Sequence, residues 1–168
     1  LDDMQAQHVL ELLASEPIKY RTGVSLLIYS GLRRGELCGL NWSDIDFKNN
    51  ILSVKRASQY LPGKGIFEKA PKNESSCRSI KLPPETFKLL QEYRAWQNEE
   101  RLKVGDQWNN ENWVFTQWNG KPIYPDTFSD WFSQFVKRHG LPNVSIHSLR
   151  HTNATLLISG GVPLRVVA

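Results

Sequence analysis

With 168 residues, 40% apolar and 23% charged, the chain has the composition of a folded domain of ordinary size and not of a disordered segment. No apolar run approaches the roughly 20 residues that span a bilayer, and the opening "LDDMQAQHVLELLASEP" lacks the basic-then-apolar order of a secretory leader. The formal charge of +4 and pI near 9.1 lean toward a polyanionic partner without establishing one.

Residues 3–14 read as a helix with Met4, Val9, Leu10, Leu12 and Leu13 as its apolar face. A second helix is expected from Ile18 to about Tyr29, stopped by Gly31. "LRRGELCGLNW" follows as a short helix that offers Leu32, Leu37 and Leu40 to the core. "WSDIDFKNNILSVKRAS" reads as a turn, a strand, an Asn-Asn turn and a second strand. "YLPGKGIFEKAPKNESSCRSIKLP" reads as a β-hairpin with arms near 65–70 and 77–82 and a polar tip. Pro83 and Pro84 open a long helix to about 103, with Phe87, Leu90, Tyr93 and Trp96 at three-residue steps. An Asn-rich loop over 105–112 leads to "WVFTQ", a short strand or extended segment, and an Asn-Gly turn. "YPDTFSDWFSQFVKRHG" is a helix capped near Asp126 and closed by Gly140. The last segment reads helical from Ser145 or Ile146 to Ser159, where Gly160 and Gly161 stop it. Helices, then strands, then helices point to the α+β class: one mainly helical domain with a small antiparallel sheet at one edge.

Cys38 and Cys77 have no metal-ligand spacing, and a reducing cytoplasm is the expected compartment. The lack of a first Met and the stop at Ala168 read as those of a fragment.

Three places hold cationic or titratable groups that composition alone does not explain. In "SGLRRGELCGL", Arg33 and Glu36 share a helix face, and Arg34 points about 100° away from Arg33. In "APKNESSCRSIKL", lysine sits on a turn that projects from the sheet. In "IHSLRHTNATLLISGG", His147, Arg150 and His151 fall on one side of a helix start. Each has a plain structural reading alone: a surface ion pair, a solvated loop, a helix cap. Two histidines four apart are also a metal-ligand spacing, but no third ligand stands out and Arg150 disfavours a dication. Together, two guanidiniums, a lysine and an imidazole suit a phosphodiester. Arginine holds non-bridging oxygens bidentately, and lysine and histidine move protons at the entering and leaving oxygens. No acidic cluster for a metal stands out, so these cations themselves would neutralise the developing charge.

In order and over nearly the whole chain, these segments resemble the catalytic domain of the tyrosine recombinases, the phage integrase family. "SGLRRGELCGL" resembles the first arginine box, "PKNESSCRSIKLP" the lysine-bearing hairpin, and "HSLRHTNATLLISGGVPLRVVA" the His-x-x-Arg box and the helices after it. The arginine box and hairpin tip look most like those of mobile-element integrases of Gram-positive bacteria. By that resemblance Arg33 is the first catalytic arginine and Glu36 its acidic support. Lys72 is the hairpin lysine, preferred over Lys64 and Lys69. His147 and Arg150 begin and end the His-x-x-Arg box, with His151 as supporting structure.

The resemblance implies strand cleavage by a tyrosine that forms a 3′-phosphotyrosyl link, with strand exchange needing no cofactor and no metal. Arg33 and Arg150 would hold the non-bridging oxygens, Lys72 would protonate the leaving 5′ oxygen, and His147 would assist the nucleophile. None of the five tyrosines (Tyr20, Tyr29, Tyr60, Tyr93 and Tyr124) matches the nucleophile, because all precede the His-x-x-Arg box. Residues 1–168 are accordingly expected to be an integrase catalytic domain without the family's N-terminal core-binding domain and without its last His box and tyrosine. Double-stranded DNA is the expected partner, with a homo-oligomer, a tetramer in the full protein, assembling on it in the bacterial cytoplasm. A type IB topoisomerase-like strand transferase and a non-catalytic DNA-binding regulator are the alternatives.

Overall fold

The structure is a computed structural model and describes residues 3–69, 77–142 and 144–149. It opens with helices α1 (Asp3–Leu13), α2 (Ile18–Ser30) and α3 (Arg34–Cys38). Strands β1 (Ile45–Asp46), β2 (Ile51–Val54), β3 (Ala57–Leu61), β4 (Gly65–Lys69) and β5 (Arg78–Lys81) follow. Helices α4 (Pro84–Val104) and α5 (Asp126–Arg138) complete the main framework, and residues 146–149 begin a further helical turn.

α2 runs through the centre. Val24, Leu26, Leu27 and Ile28 are all buried, and in the second half of this helix Tyr29 is the partly exposed position. α4 and α5 pack against it, and Phe128 of α5 meets Phe115 edge-on at 5.2 Å and Tyr20 at 5.9 Å. Such edge-to-face pairs suit the ring quadrupoles. α1 covers another side with Ala6, Val9 and Leu13, whereas Met4 is 83% exposed and stands outside the expected apolar face.

α4 shows why three-residue steps mislead. Each step of three turns 300°, so the side chain drifts by 60°. Phe87, Leu90 and Tyr93 stay inside, but Trp96 has rotated half a turn from Phe87 and is exposed. Gln97 takes the inner position instead. It accepts from Trp42 Nε1 at 2.8 Å and donates to the Val114 carbonyl at 2.9 Å. The same carbonyl accepts from the Tyr93 hydroxyl at 2.7 Å. These bonds fasten the extended segment around Val114 and Phe115. That segment forms isolated bridges (Asn41 with Trp113, Thr116 with Pro122) rather than a strand in a sheet.

The sheets correct the expected hairpin. β4 pairs with β3, not β5, in register from Ala57 opposite Lys69 to Leu61 opposite Gly65. The turn lies at Pro62–Lys64, with Gly63 inside it at φ 83° and Gly65 directly after it at φ 82°. Those positive values favour glycine and let the tight reversal form. β5 pairs instead with β2 in a three-stranded sheet of order β1-β2-β5, placing Ile80 opposite Leu52, both buried. The burial of Ile80 decides the pairing, because β2 has a core face whereas β3 is exposed beyond Ser58.

α3 and β3 lie unusually close. A Cβ on Gly35 would stand 2.9 Å from the Ser58 carbonyl oxygen, and one on Gly39 3.0 Å from that of Arg56. The two glycines of "RRGELCGL", four apart, thus form the contact face between α3 and β3.

Candidate functional site

Three segments meet at one cleft of about 640 Å³: the start of α3, the outer face of α5, and residues 144–147. It is lined by Arg33, Arg34, Ser129, Ser133, Ser145 and His147 over a floor of Leu32, Phe132 and Ile146, and no carboxylate lines it among the described residues.

The local sequence explains how Arg33 gets there. Gly31 ends α2 in the left-handed region, with φ 71°, and its N–H returns to the Leu27 carbonyl at 3.1 Å. Leu32 then plunges into the core, 1% exposed, with its N–H on Ser30 Oγ at 3.1 Å. Arg33 follows in extended backbone (φ −74°, ψ 153°) at the lip of α3. Its side chain is exposed, and its guanidinium hydrogen-bonds to no described residue.

Glu36 anchors that lip from below. It is 6% exposed and accepts the Arg33 N–H on Oε1 at 2.9 Å, satisfying an orphan donor of the helix start. The expected side-chain pair between Arg33 and Glu36 is not what forms. The guanidinium that meets the carboxylate belongs to Arg78 of β5, bidentate, with Nη1 on Oε2 and Nη2 on Oε1, each at 3.0 Å. Burial alone would push the Glu36 carboxyl up. The Arg78 hydrogen bond, the Arg33 N–H and the charge of both arginines outweigh it and hold the group below its ordinary value.

Arg78 is the residue that sequence reasoning missed. A signal was present: a glutamate in a turn flanked by buried leucines needs a cation, and "SCRSIKL" carries an arginine at the start of an alternating strand. Only the pairing of β5 with β2 shows that it reaches.

His147 enters from the far end of the chain. Ser145 and Ser148 exchange side-chain bonds with each other's backbone N–H, at 3.3 Å and 3.0 Å, in the manner of a capping box. Ile146 and Leu149 are buried and turn His147 outward into the cleft with Arg33. Lys72, Arg150 and His151 lie outside the described residues. The competing lysines occupy the β3–β4 hairpin: Lys64 caps the Phe67 ring at 4.0 Å, and Lys69 ends β4. Asp126, expected as a cap, is the first residue of α5 and makes no cap; it accepts from Arg34 instead.

A second cavity of about 610 Å³ lies beneath the β3–β4 hairpin and reaches Cys38, Arg56, Glu68 and Trp113. Burial pushes the Cys38 thiol up to about 12, so it is no nucleophile. Cys38 and Cys77 are both free thiols. Among the described residues, no group of histidine, cysteine and carboxylate side chains is placed to hold a metal ion. No described helix is long and apolar enough to cross a membrane.

Comparison with known proteins agrees over the full chain. Residues 1–168 match the sequence profile of the phage integrase family. A protein of Caldanaerobacter subterraneus subsp. tengcongensis named tyrosine recombinase XerC-like is 34% identical, over 99% of this chain and 45% of its own length. The ICEBs1 integrase of Bacillus subtilis is 27% identical, over 90% of this chain and 41% of its own. Among solved structures, the Tn1549 transposon integrase in complex with transposon right end DNA superimposes with a TM-score of 0.80 at 25% identity, covering 97% of this chain and 54% of that one. The XerA recombinase superimposes with a TM-score of 0.73 at 26% identity, covering 97% and 52%. The chain thus spans about half the length of the relatives it matches.

Proposed function

This chain belongs to the phage integrase family, and from that premise we propose that it is the catalytic domain of an enzyme for site-specific DNA recombination. The substrate is double-stranded DNA at the recombination sites of a mobile element, acted on in the bacterial cytoplasm by a homo-oligomer assembled on the DNA. The observation that carries the reading is the meeting of Arg33 and His147, from opposite ends of the chain, in one cleft without a lining carboxylate among the described residues. Such a cleft attracts a phosphodiester.

In the proposed chemistry Arg33 and Arg150 hold the two non-bridging oxygens and stabilise the charge that grows on them during in-line displacement. Lys72 delivers a proton to the leaving 5′ oxygen, and His147 handles the proton on the nucleophile side. His151 supports the box, and Glu36 supports Arg33 through its backbone N–H. The attacking tyrosine comes from outside these residues, since every tyrosine among them precedes His147. It forms a covalent 3′ link, which the 5′ hydroxyl of the partner strand later displaces.

The test has two parts. This chain should bind duplex DNA in a salt-dependent way, with log K falling against log salt by about 0.9 per phosphate contacted. It should form no covalent adduct on a nicked suicide duplex, and an adduct would overturn the assignment of the nucleophile. In a protein that carries these residues together with the downstream tyrosine, an adduct should form. Arg33→Ala should lower its rate by roughly 10³–10⁵, the scale of other phosphoryl-transfer arginines. Unchanged adduct formation in that variant would remove Arg33 from the site.

A further inference from the structure

Arg34 is the second guanidinium of the cleft. Its Nη1 donates to Asp126 Oδ1 and to Ser129 Oγ, each at 2.9 Å. A guanidinium carries five N–H donors, and these two bonds use only Nη1. The donors of Nη2 and Nε have no partner among the described residues. Arg34 therefore borders the cleft beside Arg33 with half of its fork engaged and half available.

Stability does not account for the arrangement. The Arg34 side chain is 40% exposed and that of Asp126 70%, and an exposed pair of this kind contributes little while ordering two flexible side chains. What the two α5 acceptors do achieve is to fix the guanidinium plane. A pre-oriented fork loses less freedom when it meets a planar pair of phosphate oxygens. Asp126 itself does not line the cleft, yet its charge lies one hydrogen bond from the guanidinium that does.

We infer that Arg34 is a further phosphate ligand, presented by Asp126 and Ser129, which takes a backbone phosphate next to the one held by Arg33. Asp126 both orients Arg34 and tempers its charge, so that DNA is held less tightly than the cleft's cations alone would allow. This rests on the DNA-binding reading above.

The experiment is a salt titration of this chain on a short fluorescent duplex, read by anisotropy, for the unaltered chain and for Arg33→Ala, Arg34→Ala and Asp126→Asn. Arg34→Ala should make the log–log salt slope shallower by about 0.9, one phosphate contact. Asp126→Asn retains an acceptor oxygen for Arg34 and drops the negative charge, so it should bind several-fold tighter at equal salt. Thermal melts confirm that each variant is folded. A salt bridge with no further role predicts an unchanged slope for Arg34→Ala and unchanged affinity for Asp126→Asn, and either result overturns the inference. If Arg33→Ala weakens binding while Arg34→Ala leaves the slope intact, only this inference falls. If the unaltered chain shows no salt-dependent binding, the DNA-binding reading falls and takes the inference with it.

Discussion

Two arginine–carboxylate pairs flank Arg33, one beneath it and one beside it, and they differ chiefly in burial. Glu36 is 6% exposed and meets Arg78 through two parallel bonds. Asp126 is open to solvent and meets Arg34 through one. A desolvated carboxylate must keep its cation or go neutral, whereas a hydrated one can lose it cheaply. The first pair is thus part of the frame that holds the lip of α3. The second is free to serve a ligand. Five charges within and around one short helix divide into a frame, a pre-oriented arm with its carboxylate and, between them, a guanidinium that hydrogen-bonds to no described residue.

The largest expected effect comes from breaking the buried pair. Arg78→Ala leaves Glu36 buried without its cation and should cost roughly 3 kcal/mol in a urea unfolding titration. Arg78→Lys should recover only part of that, because one ammonium cannot satisfy both carboxylate oxygens in a fork. A loss below about 1 kcal/mol for Arg78→Ala would place this pair in the same class as the exposed one and erase the contrast.

Acid should give a smaller effect of known sign. Burial pushes Glu36 up, but the Arg78 hydrogen bond, the Arg33 N–H and both arginine charges leave it below its ordinary value. A carboxyl depressed on folding contributes stability that is fully present above its unfolded value, about 4.3 for glutamate. That stability is lost as pH falls through the folded value. Unfolding free energy measured from neutral pH downward should therefore decline below about pH 4.3. Arg78→Ala removes the main cause of the depression, so its decline across that window should be shallower. Glu16, lowered by Arg138 and His139 against its own burial, supplies a background common to both proteins. Parallel curves would show that Arg78 does not hold the Glu36 charge.

What could be read in advance followed range. Local features were legible: Gly31 stopping α2, the double proline opening α4, the Asn-Asn turn between β1 and β2. Each depends on residues within one turn of the chain. Partner choice was not legible. The segments 65–70 and 77–82 were expected to pair because they are neighbours in sequence. β4 took the partner across the Pro62–Lys64 turn, and β5 took the strand that let it bury Ile80. The site divides the same way. Arg33 and His147 stood out as residue types in a pattern, and the structure brings them to one cleft. Arg78 stands at the start of an alternating strand, but its partner is a glutamate 42 residues away, which only the pairing of β5 with β2 brings within reach. In the sequence Arg34 is distinguished from Arg33 only by its direction on the helix, and the two acceptors that α5 supplies for it lie more than 90 residues away.

The smallest effect sharpens the contrast most. Arg34→Ala should change stability by less than about 0.5 kcal/mol, since its pair is exposed and screened. Asp126→Ala should cost slightly more, because a carboxylate on the first residue of α5 also faces the positive end of that helix, worth roughly 0.3–1 kcal/mol at low salt. The order matters more than the size. If the pair were there to join α3 to α5, removing either side chain would cost the same, apart from that helix-end contribution, and the double variant would cost no more than the worse single one. If it presents Arg34 to a ligand, Arg34→Ala is close to silent in unfolding and conspicuous in the DNA salt slope. Arg78→Ala shows the reverse weighting, with its main effect on unfolding. Measuring both quantities on both variants separates frame from arm without reference to catalysis.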